Sequence, residues 1–62
     1  MNEIRFRLCD GDALVCKIAD GELVELAWAW DGELDELEVI EPAGWANAIR
    51  LARLVAVEVE VR

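Results

Sequence analysis

The sequence predicts a small α+β domain in which a five-stranded antiparallel sheet carries one helix on its apolar face. Three observations lead to this prediction. Apolar and polar residues alternate in five segments, Asp-Gly pairs separate the first four of these segments, and a stretch before the last one has the 3.6-residue period of a helix. The element order is therefore β-β-β-β-α-β, and residues 1–62 form a single two-layer domain.

The first two strands are predicted at residues 3–9 and 14–18, where apolar side chains alternate with polar ones. The turn residues Asp10-Gly11-Asp12 separate them. If side chains alternate between the two faces along each strand, Cys16 lies on the apolar face of the sheet and Cys9 lies on the opposite face. Side chains on opposite faces cannot form a disulfide, so we expect two free thiols.

Strands three and four are predicted on either side of Asp31-Gly32, at residues 23–30 and about 33–40. This dipeptide suits a two-residue hairpin turn. A like-charge pair then lies directly across the two strands, which costs stability and is a modest hint of function. The predicted register pairs Val24 with Val39, Glu25 with Glu38 and Leu26 with Leu37.

The helix is predicted from Ala43 to about Leu54, because the apolar spacing changes there to one stripe: Trp45, Ala48, Ile49, Ala52 and Val55. The following residues, 54–61, alternate strictly and form strand five. If strand five lies beside strand one, Glu58 and Glu60 face two arginines on the outer face of the sheet. This charge match predicts the strand order 5-1-2-3-4, either as an open sheet or as one curled towards a barrel.

The residue types that are missing argue against an enzyme. The chain has no His, Ser, Thr, Tyr or Gln, so hydroxyl nucleophiles and histidine bases are absent. Two cysteines are too few ligands for a usual zinc site. We therefore expect no catalytic residues, no cofactor and no metal. The first residues have no hydrophobic signal-peptide centre and no apolar run is long enough to span a bilayer, so we expect a cytoplasmic protein without a membrane partner.

The net charge of −8 is unevenly distributed: nine acidic residues and no basic residue lie between Ile18 and Ile49. This charge disfavours direct binding to nucleic acid and favours a basic protein partner. Glu25, Glu36 and Glu38 are expected to cluster on the outer face, and Trp30, next to the turn, is the indole expected to be exposed. The predicted partner-binding residues are Glu25, Asp31, Glu33, Asp35, Glu36 and Glu38.

The leading hypothesis is a non-enzymatic acidic interaction module. Its most concrete form is a small inhibitor, of the phage- or mobile-element-encoded kind, that mimics nucleic-acid charge against a basic protein. Three alternatives stay open. Strand 54–61 is an unprotected, β-branched edge that could pair two copies into a homodimer. The carboxylates could hold a divalent metal, or they could only keep the surface soluble.

Two segments also resemble a known family. Residues 12–18, DALVCKI, resemble the D-A-L-Y-I-x-L strand of a family of short uncharacterised bacterial proteins, and residues 32–40, GELDELEVI, resemble that family's G-x-x-x-G-I-E-I-L hairpin strand. Val15 stands where the family has Tyr, Glu36 stands where it has the second Gly, and the family's connection between the motifs is longer. The resemblance implies a small α+β protein of unknown role, with no catalytic residues to carry over.

Overall fold

The computed structural model describes residues 2–62 and confirms the predicted α+β architecture. Five antiparallel strands form one sheet in the order β4-β3-β2-β1-β5, and the helix α1 precedes β5. Over residues 2–62 the sheet is open and does not close into a barrel. The elements are β1 (Asn2–Leu8), β2 (Ala13–Ala19), β3 (Glu22–Ala29), β4 (Leu37–Val39), α1 (Trp45–Val55) and β5 (Ala56–Val61).

The helix covers the apolar face of the sheet through the predicted stripe. Ala48 and Ala52 are buried against Leu8, Leu14 and Leu26 of the sheet. Two alanines at this contact carry little side-chain bulk, so α1 can lie close to the strands. Trp45, Ile49 and Val55 pack around the same cluster. The Trp45 indole N–H also donates a hydrogen bond of 2.8 Å to the Ile40 carbonyl, which ties the start of the helix to the end of β4.

The pairing of β1 with β5 follows the predicted charge match. Arg5 lies opposite Glu60 and Arg7 lies opposite Glu58. The Arg7–Glu58 pair has an N–O distance of 2.6 Å, and the Arg5–Glu60 pair has one of 3.8 Å. Opposite charges directly across two strands stabilise that register. The pairing therefore places β5 at one edge of the sheet, with β4 at the other.

The predicted register of β3 and β4 is wrong by three residues. Leu37 lies opposite Ala29 instead of Leu26, and Val39 lies opposite Ala27. Strand β4 is also shorter than expected, because it contains only Leu37–Val39. Side chains alternate between faces along a strand, so an odd shift moves each β4 side chain to the other face. The position opposite Leu26 is taken by Ile40, whose amide donates a 2.8 Å hydrogen bond to the Leu26 carbonyl.

A bulge at the start of β3 interrupts the regular alternation of side chains that is predicted for residues 23–30. The register shifts between Lys17 and Ile18, so that Lys17 pairs with Glu25 and Ile18 pairs with Leu23. Val24 has no partner in this pairing and is exposed, whereas Leu23 packs against the core. A bulge places two residues opposite one and so reverses the face of every residue before it.

No helix among the described residues is long and apolar enough to cross a membrane.

Candidate functional site

Two turns meet at one end of the sheet and carry half of the exposed acidic residues of the described chain. In an antiparallel meander the β1–β2 and β3–β4 connections lie at the same end, and here a hydrogen bond joins them. The Asp31 amide donates to the Asp12 carboxylate at 2.9 Å. We call this region the acidic end, defined as Asp10, Asp12, Asp31, Glu33, Asp35 and Glu36.

The loop between β3 and β4 begins with a turn that suits the Asp-Gly dipeptide. Asp31 and Gly32 both have positive φ, 53° and 73°, and the Glu33 amide donates a 3.0 Å hydrogen bond to the Trp30 carbonyl. Asp and Gly tolerate this backbone conformation better than most residues. The chain does not pair again directly after the turn, since β4 begins only at Leu37. Residues 33–36 thus form an exposed acidic loop instead of the start of a strand.

Among residues 2–62, no basic side chain forms a salt bridge with a carboxylate of the acidic end. Of the nine acidic residues between Ile18 and Ile49, only Glu25 lies within salt-bridge distance of a basic residue over the described range 2–62. Its partner is Lys17, at 3.2 Å. Exposed carboxylates without a nearby base leave a local negative potential that can attract a basic molecule. Asp31, Glu33, Asp35 and Glu36 are all exposed.

The sequence-predicted site residues are only partly brought together. Asp31, Glu33, Asp35 and Glu36 share the loop, but Glu25 lies on the outer face of β3 beside Lys17. Glu38 lies opposite Trp28 on the helix-bearing face. The expected cluster of Glu25, Glu36 and Glu38 on one outer face is therefore wrong, and so is the expected Glu25–Glu38 pair. The three-residue register shift is the cause of both errors.

Asp10 and Asp12 are the site residues that sequence reasoning missed. They flank Gly11 in the first turn, and taken alone they indicate nothing more than a turn. The available signal was topological, because the first and third turns of a meander lie at the same end of the sheet. The Asp12 amide donates a 3.0 Å hydrogen bond to Asp10 Oδ1, so both carboxylates are held by backbone amides.

The two indoles of β3 and its following turn lie beside the acidic end. Trp28 and Trp30 are stacked, with ring centroids 5.9 Å apart and ring planes 25° from parallel. Trp28 packs against the core, whereas Trp30 is 46% exposed, as the sequence predicts. The Trp30 indole N–H donates a 3.1 Å hydrogen bond to Glu38. This bond holds the exposed ring in one orientation.

A groove of about 330 Å³ opens between these indoles, the β1–β2 turn and the last turns of α1. We call it the indole groove. Its walls are mainly apolar, and Asp10 and Asp12 contribute the only charged side chains in its lining. The residues that line it are Leu8, Cys9, Asp10, Asp12, Trp28, Trp30, Leu51 and Val55.

A second cavity, of about 320 Å³, lies on the outer face and has a different character. Three arginines and three carboxylates line it together: Arg5, Arg7, Arg62, Asp12, Asp31 and Glu60. Of these carboxylates, Glu60 lies within salt-bridge distance of Arg5 and Arg62. Arg5 contacts Glu3 at 3.0 Å, and Arg62 contacts Glu60 at 3.3 Å. Because these charges neutralise each other, the cavity has no strong preference for either sign of ligand charge.

The two cysteines are free, as predicted. The expected position of Cys9 on the outer face is wrong, because Cys9 follows the end of β1 and lies beside Leu51 and Val55 of α1. Cys9 is exposed on the wall of the indole groove, whereas Cys16 is buried in the core. Burial raises the pKa of the Cys16 thiol from 9.0 to about 11, because the thiolate loses its hydration. Among residues 2–62, no three Cys, Asp or Glu side chains are grouped closely enough to hold a metal ion.

No protein-family model, curated protein sequence or solved structure matches this chain. The resemblance of residues 12–18 and 32–40 to a bacterial family therefore stays a prediction from those two segments.

Proposed function

We propose that the protein is a non-enzymatic interaction module whose acidic end binds a basic protein partner. The observation that carries the proposal is the exposed loop at residues 31–36, with four carboxylates and, within the described chain, no basic residue in contact with them. Such a surface attracts a positively charged partner and speeds its association. The same charge disfavours direct contact with nucleic acid or an anionic membrane surface.

In its most concrete form the module is a small inhibitor, of the phage- or mobile-element-encoded kind, that occupies a nucleic-acid-binding site by charge mimicry. Two features support this form. The loop presents carboxylates in close succession at Asp31, Glu33, Asp35 and Glu36, as a nucleic-acid strand presents phosphates. An exposed, stacked indole at Trp30 adjoins them and offers the aromatic surface that protein interfaces favour.

The test is a pull-down from a cell lysate with the tagged protein, washed first at low salt and then at high salt. A basic, nucleic-acid-handling protein that is retained at low salt and released at high salt is the expected result. A nucleic-acid competitor should release the same protein, because it binds the same site. Recovery of no basic protein at low salt would overturn the proposal.

Charge-neutral variants locate the binding surface. The loop variant Glu33→Gln, Asp35→Asn, Glu36→Gln removes three carboxylates from the acidic end. The control Asp20→Asn, Glu22→Gln, Glu41→Gln removes three exposed carboxylates elsewhere, so both proteins have the same net charge. We expect the loop variant to bind the captured partner roughly tenfold more weakly than the control does, at about 0.5 kcal/mol per exposed ion pair. Equal binding by the two variants would contradict the proposed surface.

A second candidate function, a homodimer through β5, is favoured by a separate observation. Val57, Val59 and Val61 of this edge strand are 69%, 53% and 73% exposed. They lie on the sheet edge farthest from β4, with no strand beyond them in the described chain. A long apolar edge strand is a template for pairing with another strand.

The backbone of β5 limits the registers that such a dimer can adopt. Arg62 exchanges both backbone hydrogen bonds with Glu3, so the amides of Val59 and Val61 point towards the free edge. An antiparallel pair centred on Glu60 sets Glu58 opposite Arg62 of the second copy at each end, and it sets the two Glu60 side chains opposite each other at the centre, where they repel. Sedimentation equilibrium at rising concentration should then show a dimer, and Val61→Lys should shift it to monomer. A monomeric mass for the wild-type protein at millimolar concentration would rule this candidate out.

A further inference from the structure

We infer that the indole groove is the pocket that receives a single Arg or Lys side chain of the basic partner. This inference rests on the proposed function, and it names the place where the partner is recognised. The acidic loop supplies attraction over a distance, whereas the groove supplies a defined contact.

The charges in the groove are all of one sign. Asp10 and Asp12 are its only ionisable residues apart from the Cys9 thiol, and no basic side chain lines it. Each carboxylate accepts a backbone amide through Oδ1, from Asp12 at 3.0 Å and from Asp31 at 2.9 Å. These bonds fix the side chains while leaving the second oxygen of each to accept a further hydrogen bond. A guanidinium or an ammonium group matches such acceptors, and an anion is repelled by them.

The rings in the groove suit a cation as well. A cation is attracted to the face of an indole when it lies within about 6 Å of the ring centre, and Trp is the strongest of the aromatic residues in this respect. Trp30 is 46% exposed and stacked on Trp28, so its ring is supported from one side. Its hydrogen bond to Glu38, 3.1 Å long, prevents free rotation of the ring. A partner therefore loses little affinity to ordering of the pocket.

The size and walls of the groove match one long basic side chain. Its volume of about 330 Å³ is at the lower end of the range for ligand pockets, roughly 300–1,000 Å³. Leu8, Leu51 and Val55 provide apolar surface for a methylene stem. Arg and Lys bury such stems while their charged ends stay near polar groups.

Cys9 provides a reporter within the groove. It is exposed and lines the groove, so a bound side chain should shield it from thiol reagents. Cys16 is buried and its pKa is raised to about 11, so it stays protonated near pH 8 and reacts far more slowly. The modification rate of the native protein near pH 8 therefore measures access to Cys9.

The experiment titrates the full chain with a hexa-arginine peptide. Calorimetry measures the binding of the peptide, and a disulfide reagent measures the rate at which the Cys9 thiol is modified. The uncharged control is the hexa-citrulline peptide, which has nearly the same shape. We expect hexa-arginine to bind and to slow Cys9 modification, and we expect hexa-citrulline to do neither at the same concentration. Trp30→Leu should weaken hexa-arginine binding about two- to fivefold, because it removes the ring but keeps an apolar side chain.

Two of the three Asp-Gly turns offer a matched pair of variants. Asp10→Asn and Asp20→Asn each remove one exposed charge before a turn glycine, and Asn can keep the hydrogen bonds of Asp. We expect Asp10→Asn to weaken binding about twofold and Asp20→Asn to leave it unchanged. Circular dichroism and thermal unfolding of each variant verify that the fold is intact.

The outcomes separate this inference from the proposed function. If hexa-arginine binds, but Cys9 stays accessible and Trp30→Leu binds as the wild-type protein does, the groove inference is overturned and the acidic end remains the site. If the peptide protects Cys9 and Trp30→Leu weakens its binding, the groove is the pocket. If hexa-arginine does not bind at all at low salt, both the groove inference and the acidic-end proposal fail.

Discussion

Replacing Glu25 by Gln tests whether β3 pairs as the structure has it, because the sign of the effect depends on the neighbour. In the structure Glu25 lies 3.2 Å from the Lys17 ammonium, and both side chains are 37% exposed. Bare charges at this distance attract by about 1 kcal/mol in bulk water and by about 5 kcal/mol at a dielectric constant of 20. Screening and side-chain ordering reduce a half-exposed pair to about 0.5 kcal/mol. Glu25→Gln should therefore lower the free energy of unfolding by about this amount.

The assay is a double-mutant cycle measured by urea unfolding at low ionic strength. The cycle between Glu25→Gln and Lys17→Gln should give a favourable coupling of about 0.5 kcal/mol, and a Tm lowered by roughly 2–4 °C for each single variant. The cycle between Glu25→Gln and Glu38→Gln should give a coupling near zero. If Glu25→Gln raised the stability and coupled to Glu38 instead, the two carboxylates would be neighbours and the register described for β3 and β4 would be wrong.

Two further predictions concern the core. Burial raises the Cys16 pKa from 9.0 to about 11, so the contribution of this thiol to stability is constant below about pH 9. That contribution falls as the pH rises to about 11, where the unfolded chain has released a proton that the folded chain retains. The free energy of unfolding, measured with denaturant, should fall by roughly 2 kcal/mol over this pH range. The Cys16→Ala variant should not show this fall. If the two proteins lost stability in parallel as the pH rises, the buried thiol would not be the cause. Trp45→Phe removes the indole N–H that donates a hydrogen bond to the Ile40 carbonyl. In the same assay this variant should lower the free energy of unfolding by about 1 kcal/mol. An unchanged unfolding midpoint would exclude a contribution of that hydrogen bond to stability.

The strands that the sequence predicts well are those whose pattern is long. Strand β5 alternates from Ala56 to Val61, and Glu58 and Glu60 have arginine partners at matching positions in β1. Several residues therefore indicate the same assignment of side chains to the two faces of the sheet. A shift of the strand register by one residue would place every charged side chain on the apolar face. The helix stripe has the same redundancy, since five residues indicate one face. Strand order and the position of the helix could therefore be derived from the sequence alone.

The β3–β4 register could not be derived from the sequence, because β4 has only three residues and their pattern of apolar and charged side chains is too short to fix one register. The turn at Asp31-Gly32 forms as its residue types suggest, yet the pairing beyond it is set by distant residues. Asp12 binds the Asp31 amide, and Ile40 takes the core position opposite Leu26. Both contacts involve residues outside the predicted hairpin turn, so local turn preference alone could not reveal them.

The indole groove was beyond sequence reasoning for a related reason. Its walls come from the β1–β2 turn, from β3 and its turn, and from the end of α1, segments that are far apart in the chain. Its position next to the turn indicated that Trp30 is the more exposed indole, but the sequence pattern could not place Cys9 or Leu51 beside that ring. Such a site exists only after the helix has returned over the sheet.

The pairing of β1 with β5 also has a consequence for the order in which the chain can fold during synthesis. Ile4 pairs with Val61, so β1 leaves the ribosome before the other described elements, whereas its partner β5 is made after them. Until then a nascent chain has β1 as an uncovered edge strand, with Ile4 and Phe6 on a face that the helix has not yet covered. Open edges of this kind are where partly made chains associate. Arg5 and Arg7 alternate with these apolar residues, and they lack their β5 partners until Glu58 and Glu60 have been made.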